Sequence, residues 1–256
     1  MSERVLHIPN RIREAVRESD WYNRIGWFRG ELMLGSLAVR NAADVAEANG
    51  SPRDRAARLL LRVFTQLLGE GAITLGEAGP NWDAQRQVID TVVVHHTAGA
   101  APANLGRLNA MHLLNLYVPK YQSPGEDFEL IGGTPIYSGH ADAAGNQVFY
   151  GYHWLIREDG SREHLLPDER IGWHAGNWEV NTRSVAVCFD GDLGQGLPTS
   201  EALDSAVELI ATVYGHVASA RILGHNAIVQ TTCPGGEFTM WGEELRALVD
   251  ANRATS

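Results

Sequence analysis

A run of three valines that ends in two histidines, Val92-Val93-Val94-His95-His96-Thr97, constrains this chain more than any other feature. Consecutive β-branched residues without polar alternation specify a strand buried on both faces, as inside a sheet covered by helices. Such a strand leaves His95 at the rim where the sheet ends. A second short run, Arg221-Ile222-Leu223-Gly224, delivers His225 similarly, and Cys233 follows just before Pro234-Gly235-Gly236, which forces an irregular turn. Two strand-end histidines and a loop cysteine make a tripod of two nitrogens and one sulfur. Zinc takes these ligand types, and three of them leave the fourth tetrahedral position open to water, as in catalytic zinc sites.

The rest of the second half reads as strands alternating with helices. Strands are expected near residues 91–95, 148–156, 184–189 and 222–223. Pro198-Thr199-Ser200 starts a helix that turns Leu203, Val207, Ile210, Val213 or Tyr214, and Val217 toward the sheet, and Trp241, Leu245 and Leu248 define the last helix. The order predicts an α/β domain with a mixed central sheet flanked by helices. Before it, residues 1–80 read as helical. Residues 10–18 carry Ile12, Ala15 and Val16 on one side, and residues 21–49 hold few breakers. Ser51-Pro52-Arg53-Asp54 combines an N-cap, a first-position proline and an acidic third residue, after which Ala56, Leu60, Val63 and Leu67 form an apolar stripe. Gly69-Glu70-Gly71 and Gly79-Pro80 mark the boundary, so the expected division is a helical unit over 1–80, outside the chemistry, and a domain over 81–256. Trp21, Tyr22, Trp27 and Phe28 are read as core packing rather than a sugar-binding surface.

Four segments occur together in a fixed order: Val94-His95-His96-Thr97-Ala98-Gly99; Gly151-Tyr152-His153-Trp154 through Asp159-Gly160; His174-Ala175-Gly176-Asn177 with Asn181-Thr182-Arg183-Ser184-Val185; and Gly224-His225 through Cys233-Pro234-Gly235. In this the chain resembles the zinc N-acetylmuramoyl-L-alanine amidases, a group that includes phage amidase lysozymes (endolysins) and peptidoglycan recognition proteins. The resemblance spans roughly residues 88–252. It implies the amidase-type fold, zinc ligands His95, His225 and Cys233, and cleavage of the amide between N-acetylmuramic acid and L-alanine by a zinc-activated water. Peptidoglycan or a muropeptide is the implied partner. Tyr152 matches the tyrosine that orients the water or the scissile carbonyl. Thr231 stands where phage-type members carry a lysine and active recognition proteins a threonine, so its hydroxyl can donate to an oxyanion but brings no charge. Cys233 favours catalysis; the alternative is a non-catalytic muropeptide-binding module. His174 matches a position lining the substrate site. Trp173, Asn177 and Asn181 are groove contacts, since a sugar-peptide ligand offers amides and hydroxyls to asparagine and apolar faces to tryptophan. The segment between Gly99 and Gly151 is longer than the family leads one to expect, and such loops either line a site or decorate it.

His96 and His153 fall on the strand face away from their pocket-facing neighbours and are read as structural. His7, His112, His140, His164 and His216 default to surface or ordinary packing. No carboxylate occupies a motif position for proton transfer, and Glu179 is read as solvated. Of the two cysteines, Cys188 lies within the apolar strand Val185-Ala186-Val187-Cys188-Phe189 and is assigned to the core, so no disulfide framework is indicated. The net charge of −10 argues against nucleic acid as partner, since phosphate binding calls for clustered Lys and Arg. No run approaches a membrane span, and the first residues lack the apolar core of a signal peptide. The expected protein is soluble: either cytoplasmic, or brought to the wall by phage-type release or after signal removal.

Overall fold

The computed structural model describes residues 5–34, 51–123, 131–194 and 196–255. It opens with two short helices, α1 (Asn10–Ala15) and α2 (Ile25–Leu34), linked by a 3-10 turn at Trp21–Arg24. Helix α3 (Pro52–Gly69) begins where the sequence places it. Ser51 Oγ accepts the Asp54 N–H and the Asp54 carboxylate accepts the Ser51 N–H, a reciprocal cap that satisfies two otherwise orphaned donors. The stripe of Ala56, Leu60, Val63 and Leu67 is buried, together with Leu59 and Phe64. Trp21, Tyr22 and Phe28 are fully enclosed and the Trp21 and Phe28 rings meet Phe64 at 5.2 and 5.5 Å, whereas Trp27 is 40% exposed.

Helices α4 (Leu105–His112) and α5 (Val118–Gln122), joined by a π turn at Leu113–Tyr117, belong with these N-terminal helices. Tyr22 donates its hydroxyl to the Thr134 carbonyl at 2.7 Å, Gln122 Nε2 donates to the Tyr22 carbonyl, and the Gly76 N–H reaches the Ile136 carbonyl at 2.7 Å. The chain thus forms two compact units, one of Met1–Pro80 with Asn104–Phe149 and one of Asn81–Ala103 with Tyr150–Ser256. They differ from the contiguous segments read from the sequence in the placement of the long insertion. Contiguity is all that a single sequence offers here, while the hydrogen-bond partners just named lie 60 to 112 positions upstream. Residues 35–49 of the stretch read as helical, and residues 125–127 of the long insertion, lie outside the described residues.

The second unit holds one five-stranded sheet, made of β1 (Thr91–His96), β2 (Trp154–Ile156), β3 (Arg162–His164), β4 (Ser184–Phe189) and β5 (Ile222–Gly224) in the order β3-β2-β4-β1-β5. All neighbours pair in parallel except β2 and β3. Strands β1 and β4 are central and buried throughout. Val92, Val94, Val185, Val187 and Phe189 face a core closed by α7 (Ser200–Thr212) and α8 (Phe238–Thr255), while a short α6 (Trp178–Arg183) leads into β4. By strand alternation His95 and Cys188 point to the other face.

Several expectations are corrected. The strand expected over 148–156 shrinks to Trp154–Ile156, because Phe149 gives its N–H to the Asn109 side chain and Val148 to the His140 carbonyl instead of to a ladder. Strand β3 was not expected, since Arg162-Glu163-His164 is polar and lies at the edge. Asp159-Gly160 just before it carries the hairpin signal, with Gly160 at φ +79° and Arg157 N–H bonded to the Ser161 carbonyl. On α8 the buried stripe continues to Val249 and leaves Leu248 38% exposed; after α7, Tyr214 is buried and Val213 exposed. Among the described residues no helix is long and apolar enough to cross a membrane.

Two outcomes follow from the first unit. A chain starting at Asn81 deprives Asn104–Phe149 of Tyr22, Gly76 and the α3 stripe, so size-exclusion chromatography should find it aggregated; a soluble monomer would refute the grouping. His112 is buried, and that burial lowers its pKa from 6.5 to about 3. The folded protein then holds it neutral while the unfolded chain protonates it, so its contribution is intact above pH 6.5 and lost as pH falls toward 3. Denaturation between pH 6 and 4 should show His112→Leu with a stability slope shallower than the parent's by up to about 1.4 kcal/mol per pH unit. Equal slopes would refute it.

Candidate metal centre

The site sits where the parallel strands end, the edge at which sheets of this kind present their loops. Val94 pairs with Gly224, so the next residue on each strand, His95 and His225, must be neighbours; their ring centroids are 4.5 Å apart. After β5 the chain turns through a 3-10 segment, His225–Ala227, and Asn226 donates its N–H to the Cys233 carbonyl at 2.9 Å, closing a loop that returns Cys233 to His225. Cys233 Sγ lies 3.6 Å from His95 Nδ1. One ligand atom from each of the three residues falls within 4.8 Å of the others, the one such group among the described residues, and it contains no carboxylate. Glu179 is exposed and reaches only Arg183, at 3.9 Å.

The candidate ligands are held from behind. His96, on the core side of β1, accepts the Leu193 N–H on its Nδ1 at 3.0 Å. A Cβ on Gly235, which has φ +122°, would stand 2.3 Å from the Leu193 carbonyl, so only glycine lets the Cys233 loop close there. Burial pushes the Cys233 thiol up to about 11, opposed by a backbone hydrogen bond at His96. The His225 ring bonds the backbone of Ala175, and burial lowers its pKa. Its Nε2 is buried and makes no hydrogen bond. An orphaned imidazole nitrogen beside a thiol and a second imidazole is what a zinc ion would complete, so the residues present fit the metal.

The other candidates occupy two depths. Tyr152 stacks near His95 at a centroid distance of 5.0 Å; burial and then the neighbouring Cys188 and Cys233 raise its pKa, and Cys188 takes a side-chain hydrogen bond from it. It stays a phenol at neutral pH. Thr231 is half-buried and its Oγ1 accepts the Cys233 N–H at 3.2 Å, leaving the hydroxyl proton to donate. Asn177 is exposed and caps α6 through the Val180 N–H. Trp173 is buried among Trp82 and Trp178 at 6.0 and 6.1 Å. His174 and Asn181 face inward. Asn181 Oδ1 accepts the N–H groups of Ala175 and His174 at 2.8 and 3.3 Å, and the His174 ring lies behind His95, Nδ1 to Nε2 3.0 Å. Burial, then the charges of His95 and other neighbours, keep His174 neutral. His153 is saturated, accepting the Ala186 N–H on Nδ1 while its Nε2 lies 3.0 Å from the Arg170 carbonyl.

Sequence reading gave no role to Arg86, Asp190 or Ser184. Arg86 binds the carbonyls of Asp168, Asn181 and Ser184 and fixes the start of β4. Asp190, just past β4, accepts the Ala103 N–H and ion-pairs with Arg157 at 2.7 Å, fastening the loop after β1. An acidic residue directly after a fully apolar strand was the available signal, since carboxylates are seldom buried unpaired.

Comparison with known proteins comes from both sequence and fold. A family model described as N-acetylmuramoyl-L-alanine amidase matches residues 85–236. Peptidoglycan-recognition protein SD of Drosophila melanogaster is 26% identical over 174 residues, 64% of this chain and 80% of that protein. The endolysin of Klebsiella phage KP32 is 26% identical over 99 residues, 37% of this chain and 64% of the endolysin. Among solved structures, the N-acetylmuramoyl-L-alanine amidase LysC from Clostridium intestinale aligns over 70% of this chain and 95% of its own, with 20% identity and a TM-score of 0.47.

Proposed function

Because the chain belongs to the N-acetylmuramoyl-L-alanine amidase family of peptidoglycan hydrolases, we propose that it is a zinc-dependent amidase cutting the bond between N-acetylmuramic acid and L-alanine of the stem peptide. The observation that carries this reading is the convergence of His95, His225 and Cys233 around a buried, unpartnered His225 Nε2 inside the matched segment. Zinc held there would supply Lewis acidity, lowering the pKa of a water and polarising a carbonyl. The protein's own groups do the rest. Tyr152, a half-buried phenol beside His95 whose hydroxyl otherwise bonds Cys188, swings its proton to the scissile carbonyl oxygen, and Thr231 donates from the Cys233 loop. Neither carries charge, so both act as oriented dipoles. Peptidoglycan or a soluble muropeptide is the substrate class, with Asn177 the outward-facing groove contact. Relatives named endolysins make release to the wall by lysis a fitting route of delivery.

Purified protein should hold about one zinc and convert peptidoglycan into free stem peptides detectable by mass analysis, with the activity abolished by a chelator and restored by zinc. Cys233→Ser should lose the metal, because a neutral hydroxyl replaces a soft thiolate. Binding of muropeptides without cleavage by the zinc-loaded protein would overturn the proposal in favour of a recognition module. Tyr152→Phe and Thr231→Ala should each keep the zinc and lower kcat by roughly 10²-fold, the usual cost of one preorganised donor. An unchanged kcat in both would remove these residues from the mechanism.

A further inference from the structure

We infer that His174 is a positioning residue which, anchored by Ser184, fixes the tautomer of His95 so that Nδ1 of His95 is the atom offered to the metal. One hydrogen bond behind His95 has an unambiguous direction. Ser184 Oγ lies 2.6 Å from the Val180 carbonyl, which can only accept, so the single hydroxyl proton of Ser184 is spent there. Ser184 Oγ also lies 3.2 Å from His174 Nε2, and toward that nitrogen it has only a lone pair. His174 must therefore carry its proton on Nε2. Its Nδ1 is then an acceptor, 3.0 Å from His95 Nε2, which must donate. His95 is left with a bare Nδ1, the nitrogen facing Cys233 Sγ at 3.6 Å.

The reverse arrangement fails at the far end. A proton on His174 Nδ1 would set the Nε2 lone pair against the Ser184 lone pair and turn the protonated nitrogen of His95 toward the metal position. The His95 and His174 rings stand perpendicular with centroids 5.1 Å apart, and they meet at the two nitrogens of this bond. The chain of donors ends on a backbone carbonyl, so it orients and does not export a proton. His174 and the next residue thereby serve both histidine ligands, one through its ring and the other through its backbone, which the His225 ring bonds. Asn181 clamps the amides of both residues from beneath. Ligating histidines commonly take their orientation from such an acceptor, and losing it typically costs about 10- to 100-fold in metal affinity.

This inference rests on the zinc reading, and its test separates the two. Two-bond ¹⁵N–¹H spectra of the full chain labelled at histidine, recorded metal-free and zinc-loaded, should show His95 and His174 both protonated on Nε2 in each state. The metal-free spectrum reports the tautomer whether or not zinc binds, while zinc titration of the parent protein decides the metal reading alone. Competition with a chromophoric chelator should then find zinc binding weakened about 10- to 100-fold in His174→Leu, which keeps bulk without an acceptor, and largely recovered in His174→Gln, whose carbonyl oxygen can accept from His95. Should His174→Leu not fold, Ser184→Ala serves in its place, and a mixture of His174 tautomers with a several-fold loss of affinity is the expected result. His95 protonated on Nδ1 in the metal-free protein, or parental zinc affinity in a folded His174→Leu or Ser184→Ala, would overturn the inference.

Discussion

The parallel pairing of β1 with its two neighbours is the constraint on which the site depends. Register alone sets His95 beside Cys188 on one side and makes His225 the first residue past Gly224 on the other. A shift by one position would turn His95 toward the helices and His96 toward the site, because side chains alternate with a period of two. The valine run prevents that shift. Val92 and Val94 are locked into the same core as Val185, Val187 and Ile222, so the apolar packing that stabilises the sheet also decides which histidine meets His225 and Cys233.

Around that register the polar groups act as braces. His96 fixes the turn after β4 by accepting the Leu193 N–H, and Gly235 then lets the cysteine loop lie on the Leu193 carbonyl. Asp190 holds Ala103 and Arg157, and Arg86 gathers the carbonyls at the entry to β4. A Cβ on Gly172 would fall 2.3 Å from the Gly151 carbonyl, so the segment before His174 packs directly on the backbone that carries Tyr152. These contacts tie the segments around the tripod to the sheet at both its edges, and a site's geometry depends on such support.

What could be read in the sequence follows from what each signal encodes. Runs of β-branched residues and the capped helix at Ser51 were legible because their cause is local, and the tripod was legible because ligand chemistry narrows residue type. The depth of His174 and Asn181 was not, since a polar residue in a loop looks alike whether it faces a groove or supports a ligand. Strand β3 was hidden by its polarity, although Asp159-Gly160 announced the turn. The partners of residues 104–149 were equally hidden, because tertiary neighbours so far upstream leave no pattern in the insertion itself. Leu248 and Val249 show the limit of periodicity, since one residue of helical phase moves the buried position.

Electrostatics ties the tripod to its proposed chemistry. Burial holds the Cys233 thiol protonated up to about 11 and lowers the basicity of His225 and His174. A neutral, half-buried pocket is cheap to fold, whereas a buried thiolate would cost several kcal/mol unpaired. A zinc ion entering such a pocket would displace the thiol proton, and two neutral imidazoles with one thiolate would leave the assembly near +1. Thr231 adds a dipole and no charge to that sum. In a site lacking both a lysine at this position and a carboxylate in the tripod, a zinc ion would be the one strong electrophile, so the precision with which His95, His225 and Cys233 present their lone pairs would set how much catalytic power the protein could draw from it.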